Sequence, residues 1–224
     1  MPDREDVEID TAPPAATVDV LRDRLPERLA RCIAGLAVFG VGISLVIEAR
    51  LGAGPWDVLH QGISKRTGIS LGTVLVIVGL LLLLLWIPLH QRPGIGTILN
   101  AVEIGVVADI VIALVPAPAH LALRWLLLAL GIVATAIGSG IYIGAGLGSG
   151  PRDGIMMGLT RHGLSVRVAR TSIEVTVVVL GFLLGGKVGL GTLAFALLIG
   201  PLVHVFLQRF DMRAAHASEV AATA

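Results

Sequence analysis

Apolar residues run along this chain in blocks longer than the helices of a soluble domain. Six blocks of about 20 residues stand out, at 30–49, 71–89, 97–116, 121–144, 166–186 and 192–208. A helix of that length crosses a hydrocarbon core of about 30 Å. The pattern therefore predicts an all-α, polytopic membrane helix bundle of about six spans. Two stretches break it, 50–70 between the first and second blocks and 145–165 between the fourth and fifth. Each has room for a short helix, Asp57–Lys65 and Asp153–Arg161. Pro suits the first turn of a helix and Asp its N-terminal cap. These helices are too brief and polar to span, so they lie in the interface or dip inward as re-entrant pieces.

The two breaks carry the same words. Leu51-Gly52-Ala53-Gly54-Pro55-Trp56-Asp57 returns as Leu147-Gly148-Ser149-Gly150-Pro151-Arg152-Asp153. A second echo follows each, Gly94-Ile95-Gly96-Thr97 and then Gly189-Leu190-Gly191-Thr192. An offset of 95 or 96 residues also pairs Gly42 with Gly138, Gly62 with Gly158, Ser70 with Ser165 and Gly105 with Gly200. The chain thus divides into a tail at 1–28, a membrane repeat at 29–116, a second at 121–208 and a tail at 209–224. Three spans per repeat would turn the second copy upside down, so the two broken loops, formed by Gly52, Gly54 and Pro55 and by Gly148, Gly150 and Pro151, would start from opposite faces. Many transporters are built this way, with Gly/Pro-broken segments at matching positions of inverted repeats. Gly35, Gly40 and Gly42 in the first span, and Gly138, Gly140 and Gly144 in the fourth, predict that these two spans pack closely at the centre.

Composition narrows the class. Hydrophobic residues make up 55% of the 224 and charged ones 15%, with a mean hydropathy of +0.88; soluble domains carry about a quarter charged residues. Eight of the sixteen acids lie in residues 3–27, so the first 28 residues read as a disordered acidic cytoplasmic tail. No basic patch with interleaved aromatics points to nucleic acid. The single Cys32 cannot form a disulfide within the chain, and no Cys/His spacing suggests a metal or a cofactor. With the N-terminus inside, eleven of the Lys and Arg from residue 22 onward face the cytoplasm and five face out, which favours both termini cytoplasmic. The expected partners are the lipid bilayer and an unidentified small solute or ion, with a homo-oligomer left open.

The stretches Gly52 to Gly62, Gln91 to Thr97, Gly148 to Gly154 and Ile199 to Val203 resemble the YczE-like membrane proteins of the YczE/YyaS/YitT grouping. The resemblance covers about residues 30–208. It implies a bacterial multi-pass inner-membrane protein and supports topology more than function.

Asp57 and Asp153 lead the residues that could carry chemistry. An ionisable group in low dielectric needs a partner or a role, and matching Asp residues at matching helix starts could bind a cation, carry a proton or hold a substrate. The plainer reading is that each caps its helix. Trp56 and Arg152 share one repeat position; Trp56 suits an outer interfacial anchor, and Arg152 adds positive charge inside or contacts substrate. Glu174 sits near mid-membrane with Arg170 one turn before it, a natural i, i+4 pair. Glu103, with Asn100 one turn earlier, is a candidate coupling carboxylate, because desolvation favours its neutral form; the alternative is a protonated Glu bonded to a neighbouring helix. Asp109 is expected near the outer end, hydrated. His60 lacks co-ligands for a metal and reads as helix polarity.

No intramembrane-protease nucleophile, His-Glu-x-x-His, Walker loop or Gly-x-Gly-Asp pair is present, so an enzyme is not expected. Two readings stand: a transporter-like permeation protein for a small solute, and a non-transporting membrane accessory or scaffold acting through partner proteins. They part on a pair of variants. In the first, Asp57→Asn and Asp153→Asn fold but lose ligand binding. In the second, the same changes destabilise the protein or do nothing, and crosslinking recovers partners.

Overall fold

A computed structural model describes residues 24–161 and 163–212. Most of both predicted tails, 1–23 and 213–224, lies outside the described residues. Within them the chain is all-α, with eight helices: α1 (Leu25–Glu48), α2 (Pro55–Thr67), α3 (Leu71–Trp86), α4 (Ile95–Leu114), α5 (Leu121–Gly144), α6 (Pro151–Arg161), α7 (Val166–Leu183) and α8 (Leu190–Phe210). Four of them, α1, α4, α5 and α8, are long and apolar enough to cross a membrane. The bent pair α2–α3, turning by 116° between its two helices, would make a fifth.

The other two predicted spans fall short for identifiable reasons. The third helix stops at Trp86, after 16 residues, because Pro88 cannot continue it. At 1.5 Å per residue it rises about 24 Å. The seventh has 18 residues, but Arg167, Arg170 and Glu174 crowd its first half.

Helices α1 and α5 form the packed centre and run antiparallel. Gly35 lies against Gly138 and Tyr142, and Gly42 against Gly131 and Thr135. Small residues let the two backbones touch. The hydroxyls of Ser44, Thr135 and Ser139 are satisfied within their own helices, on carbonyls four residues back at 2.7, 2.8 and 2.8 Å. Helix α4 runs parallel to α1, with Gly40 against Ile104 and Val107, and α8 runs parallel to α5, with Gly140 on Phe206 and Gly144 on Phe210. Arg28 enters this centre too. It is buried, and its guanidinium donates to the carbonyls of Ala145 and Gly146 at 2.8 Å each, closing the C-terminal end of α5. Sequence reading treats it only as a topology signal.

The two echoed motifs dock reciprocally. Gly191 N–H donates to Leu51 O at 2.8 Å, and Gly96 N–H donates to Leu147 O at 2.9 Å. Each Gly-Pro loop is therefore held by the start of a helix from the other half of the chain. The threonines close the arrangement: Thr97 Oγ1 accepts from Gly94 N–H, and Thr192 Oγ1 from Gly189 N–H, both at 3.2 Å. Gly52 (φ 114°) and Gly148 (φ 132°) turn the loops through left-handed backbone.

The corresponding pairs α3–α4 and α7–α8 differ. Gly72 sits on Gly105 and Gly79 on Ala101, and Asp109 on α4 caps α3 by accepting from Ser70 Oγ (2.6 Å) and Gly72 N–H (2.7 Å). Asp109 is thus a helix cap between α3 and α4, where a hydrated end is expected from sequence. Helices α7 and α8, in contrast, hardly touch. The seventh helix leans on α2, with Gly181 against Val58 and Leu59.

A methyl group on Gly94 would overlap Leu147 O, and one on Gly189 would overlap Leu51 O, whereas Gly200 has nothing within 4 Å of that position. Overpacking of this kind costs about 1–3 kcal/mol. Thermal unfolding in nanodiscs should therefore show Gly94→Ala and Gly189→Ala clearly destabilised and Gly200→Ala close to wild type. Equal behaviour of all three would contradict the docking.

Candidate functional site

Both broken loops lead into their short helices in the same way. Gly54 precedes Pro55 at the start of α2, and Gly150 precedes Pro151 at the start of α6. Pro fits a first turn whose N–H is unpaired in any case. The Asp residues consequently sit at the third helical position and not at the cap, where sequence reading puts them. From there Asp153 Oδ2 reaches back and accepts from Gly150 N–H at 3.2 Å, the return half of a capping box. The equivalent bond is not made by Asp57. Its Oδ1 lies 3.4 Å from His60 Nδ1 and 3.7 Å from an Arg152 terminal nitrogen. Asp57 is 2% exposed and His60 1%, and the Arg152 guanidinium is the cation nearest to this buried carboxyl group.

Trp56 and Arg152 hold the same place in the two echoed motifs, and they meet. The Arg152 guanidinium lies over the Trp56 ring, 5.3 Å from its centroid, a contact worth roughly 0.5–2 kcal/mol. Both line one cavity; a substrate contact is one of the two sequence readings of Arg152, and its meeting with Trp56 is not anticipated there.

That cavity has a volume of about 290 Å³. The starts of α2 and α6 contribute Trp56, Asp57, Arg152 and Asp153 to its wall. Asn100 of α4 and Thr135, Ser139 and Tyr142 of α5 add hydrogen-bonding groups. Arg170 and Glu174 of α7, joined at 2.9 Å, also line it, as do Phe195, Ile199 and Gly200 of α8. Of the sequence candidates, Asp57, Asp153, Asn100, Arg152, Arg170 and Glu174 come together here. Glu103 does not line the cavity; it sits half-buried elsewhere on α4. Burial pushes the Asp153 carboxyl above the usual Asp range, while the Gly150 N–H and the Arg152 and Arg170 guanidiniums pull the other way.

Sequence reasoning misses Tyr142, Thr135 and Ser139, which look like ordinary membrane-helix residues. Their position on the α5 face opposite the glycines of α1 is the only signal available. It also misses Trp86, whose indole N–H donates to Pro151 O at 2.9 Å and clamps α3 over the start of α6.

A family described as "Family of unknown function (DUF6198)" matches residues 26–208. An uncharacterized protein of Haemophilus influenzae is 40% identical over 174 residues, covering 77% of this chain and 80% of its own. The "Uncharacterized membrane protein YczE" of Bacillus subtilis is 35% identical over 193 residues, 84% of this chain and 89% of its own. The "Uncharacterized protein YyaS" of the same organism is 29% identical over 180 residues, 77% and 89% respectively. No solved structure matches.

The Asp153 environment gives a signed pH effect. A carboxyl raised in the folded state contributes most at low pH, and that contribution falls as pH rises from the ordinary Asp value to the raised one. Asn at this position stays neutral throughout. Thermal midpoints should therefore show the stability of Asp153→Asn relative to wild type growing from pH 4.5 to pH 8. A difference that stays flat over this range would contradict the raised value.

Proposed function

The chain belongs to this family of membrane proteins, and we propose that it is a six-span bundle of two inverted three-span units closing around a binding site for a small solute, which it moves across the bacterial plasma membrane. The antiparallel contact of α1 with α5, and the matched loop bonds at Leu51 and Leu147, support the inverted arrangement. In that arrangement α3 with its apolar turn, and α7 with its charges toward the cavity, complete the six crossings, and both termini are cytoplasmic.

One observation carries the functional reading. Two residues at the same repeat position, Trp56 and Arg152, contact each other inside a cavity, beside a buried Asp57. Equivalent positions meet where a two-fold axis passes, and sites of inverted-repeat transporters lie at such an interface. Arg152 and Asp57 are the proposed binding pair, Asp153 shapes the second loop, and Asn100 and Tyr142 offer neutral hydrogen bonds. Glu174, held by Arg170, takes the proton-coupling role in preference to Glu103, which does not line the cavity. The role is binding and permeation, not catalysis.

The test is a thermal-shift screen of small ions and metabolites on purified protein in nanodiscs. A ligand at 100 times its dissociation constant stabilises by about 2.7 kcal/mol. Arg152→Ala alone would strand a buried carboxylate, so the variant is the neutral pair Asp57→Asn with Arg152→Gln. Loss of a charge-assisted bond of about 1.5–3 kcal/mol should weaken a hit by about tenfold or more in a well-folded protein. Silence across the screen, with partner proteins captured by crosslinking in membranes, would favour the scaffold reading.

A further inference from the structure

We propose that the cavity opens sideways into the bilayer between α7 and α8, and that its ligand is a zwitterionic amphiphile whose head sits at Arg152 and Asp57 while its tail leaves through that cleft. The inference rests on the cavity being a binding site and adds the route and the class of ligand.

The cleft has a cause in sequence. Gly72, Leu75 and Gly79 lie along α3, where Gly72 and Gly79 meet Gly105 and Ala101 of α4 and seal the seam. About 95 residues later the same positions on α7 are Arg167, Arg170 and Glu174. Two glycines and a leucine have become three long charged side chains. A seam built on backbone contact cannot form around them, and α7 and α8 hardly touch. The partner glycine remains as a relic of the closed version. Gly105 meets the Gly72 backbone, whereas its counterpart Gly200 has open space where a side chain would be and lines the cavity.

The walls differ in polarity by element. Arg152, Asp57 and Asp153 come from the helix starts, while Ile173 of α7 and Phe195, Ile199 and Val203 of α8 supply apolar lining. The ion pair Arg170–Glu174, both on α7 and both lining the cavity, has side chains 51% and 32% exposed. Charge left open at hydrocarbon depth is expensive, and a polar head passing or lodging there supplies what lipid tails cannot. The charges come as pairs of opposite sign, Arg152 with Asp57 and Arg170 with Glu174, so a head carrying both signs finds a complement for each. A volume of about 290 Å³ is at the small end for ligand sites. It holds a head group and forces a tail outward.

Trp56 in the cavity wall is the reporter. Trp125 is exposed and is changed to Phe; Trp86 is buried and stays, as does the buried Cys32. Full-length protein is placed in nanodiscs of phosphatidylcholine with brominated tails, and Trp56 emission is taken as the difference from a Trp56→Phe partner. Ile173→Cys and Ile199→Cys, on opposite sides of the cleft, are then joined by a short bis-methanethiosulfonate, which forms a disulfide with each thiol and releases sulfinate. The expected result is a loss of Trp56 emission in brominated lipid that the crosslink reverses. In nanodiscs of phosphatidylglycerol, whose head carries no positive charge, a single-chain phosphocholine amphiphile should also raise the thermal midpoint of the uncrosslinked protein, while a maltoside of equal chain length should not. Trp56 emission unaffected by bromine, or quenched equally after crosslinking, overturns the lateral route. Equal stabilisation by both amphiphiles overturns the zwitterionic head. A Gly200→Cys variant that forms disulfide-linked dimers in membranes would mean that a second copy fills the cleft, and overturns the proposal. If water-soluble solutes bind and the amphiphile does not, this inference fails and the solute-binding reading stands. If neither binds, both fail.

Discussion

Two backbone hydrogen bonds, Gly191 N–H to Leu51 O and Gly96 N–H to Leu147 O, hold the arrangement on which everything else depends. Irregular backbone inside a membrane protein must find its partners within the protein, because lipid offers none. Each Gly-Pro loop meets that demand by borrowing the unpaired N–H groups at the start of a distant helix. At Gly52, Gly94, Gly189 and Gly191 the two backbones come too close for any side chain. Once the loops are fixed, the starts of α2 and α6 are aimed at a common point, and the position of Trp56 against Arg152 follows.

The cavity therefore owes its polarity to the loops and its opening to α7. A perfectly matched pair of halves would seal both seams and enclose a symmetric interior. The departures from matching are concentrated where chemistry could use them. Trp faces Arg across the loops; Leu75 and Gly79 on α3 are answered by Arg170 and Glu174 on α7. Asp153 returns a bond to its own loop, while Asp57 turns to His60 and Arg152. The same backbone plan thus carries a structural carboxylate on one side and a paired, buried one on the other.

The helical architecture and the central packing were legible because period, length and glycine placement act locally. The blocks at 30–49, 97–116, 121–144 and 192–208 correspond to α1, α4, α5 and α8 within a few residues. The echoed motifs marked the loops, and six of the seven proposed site residues line one cavity. What the chain did not reveal is pairing across distance. That Asp109 caps α3, that Arg28 closes α5 and that Trp56 turns inward all depend on which helix end lies beside which. A hydropathy pattern is silent on that. Glu103 illustrates the other limit: a carboxylate in an apolar block looks the same whether it faces a cavity or a neighbouring helix.

The exchange of loop partners has a consequence for how the chain is made. The first loop, at Leu51 and Gly52, docks on Gly189 to Thr192, which the ribosome delivers only after seven of the eight described helices. Until then the amino-terminal helices hold an unclosed turn, and the centre of the molecule cannot lock. Synthesis of α8 is thus the step that finishes α2. A chain halted before that point carries most of the membrane helices and lacks the contact that fixes the first of its two loops.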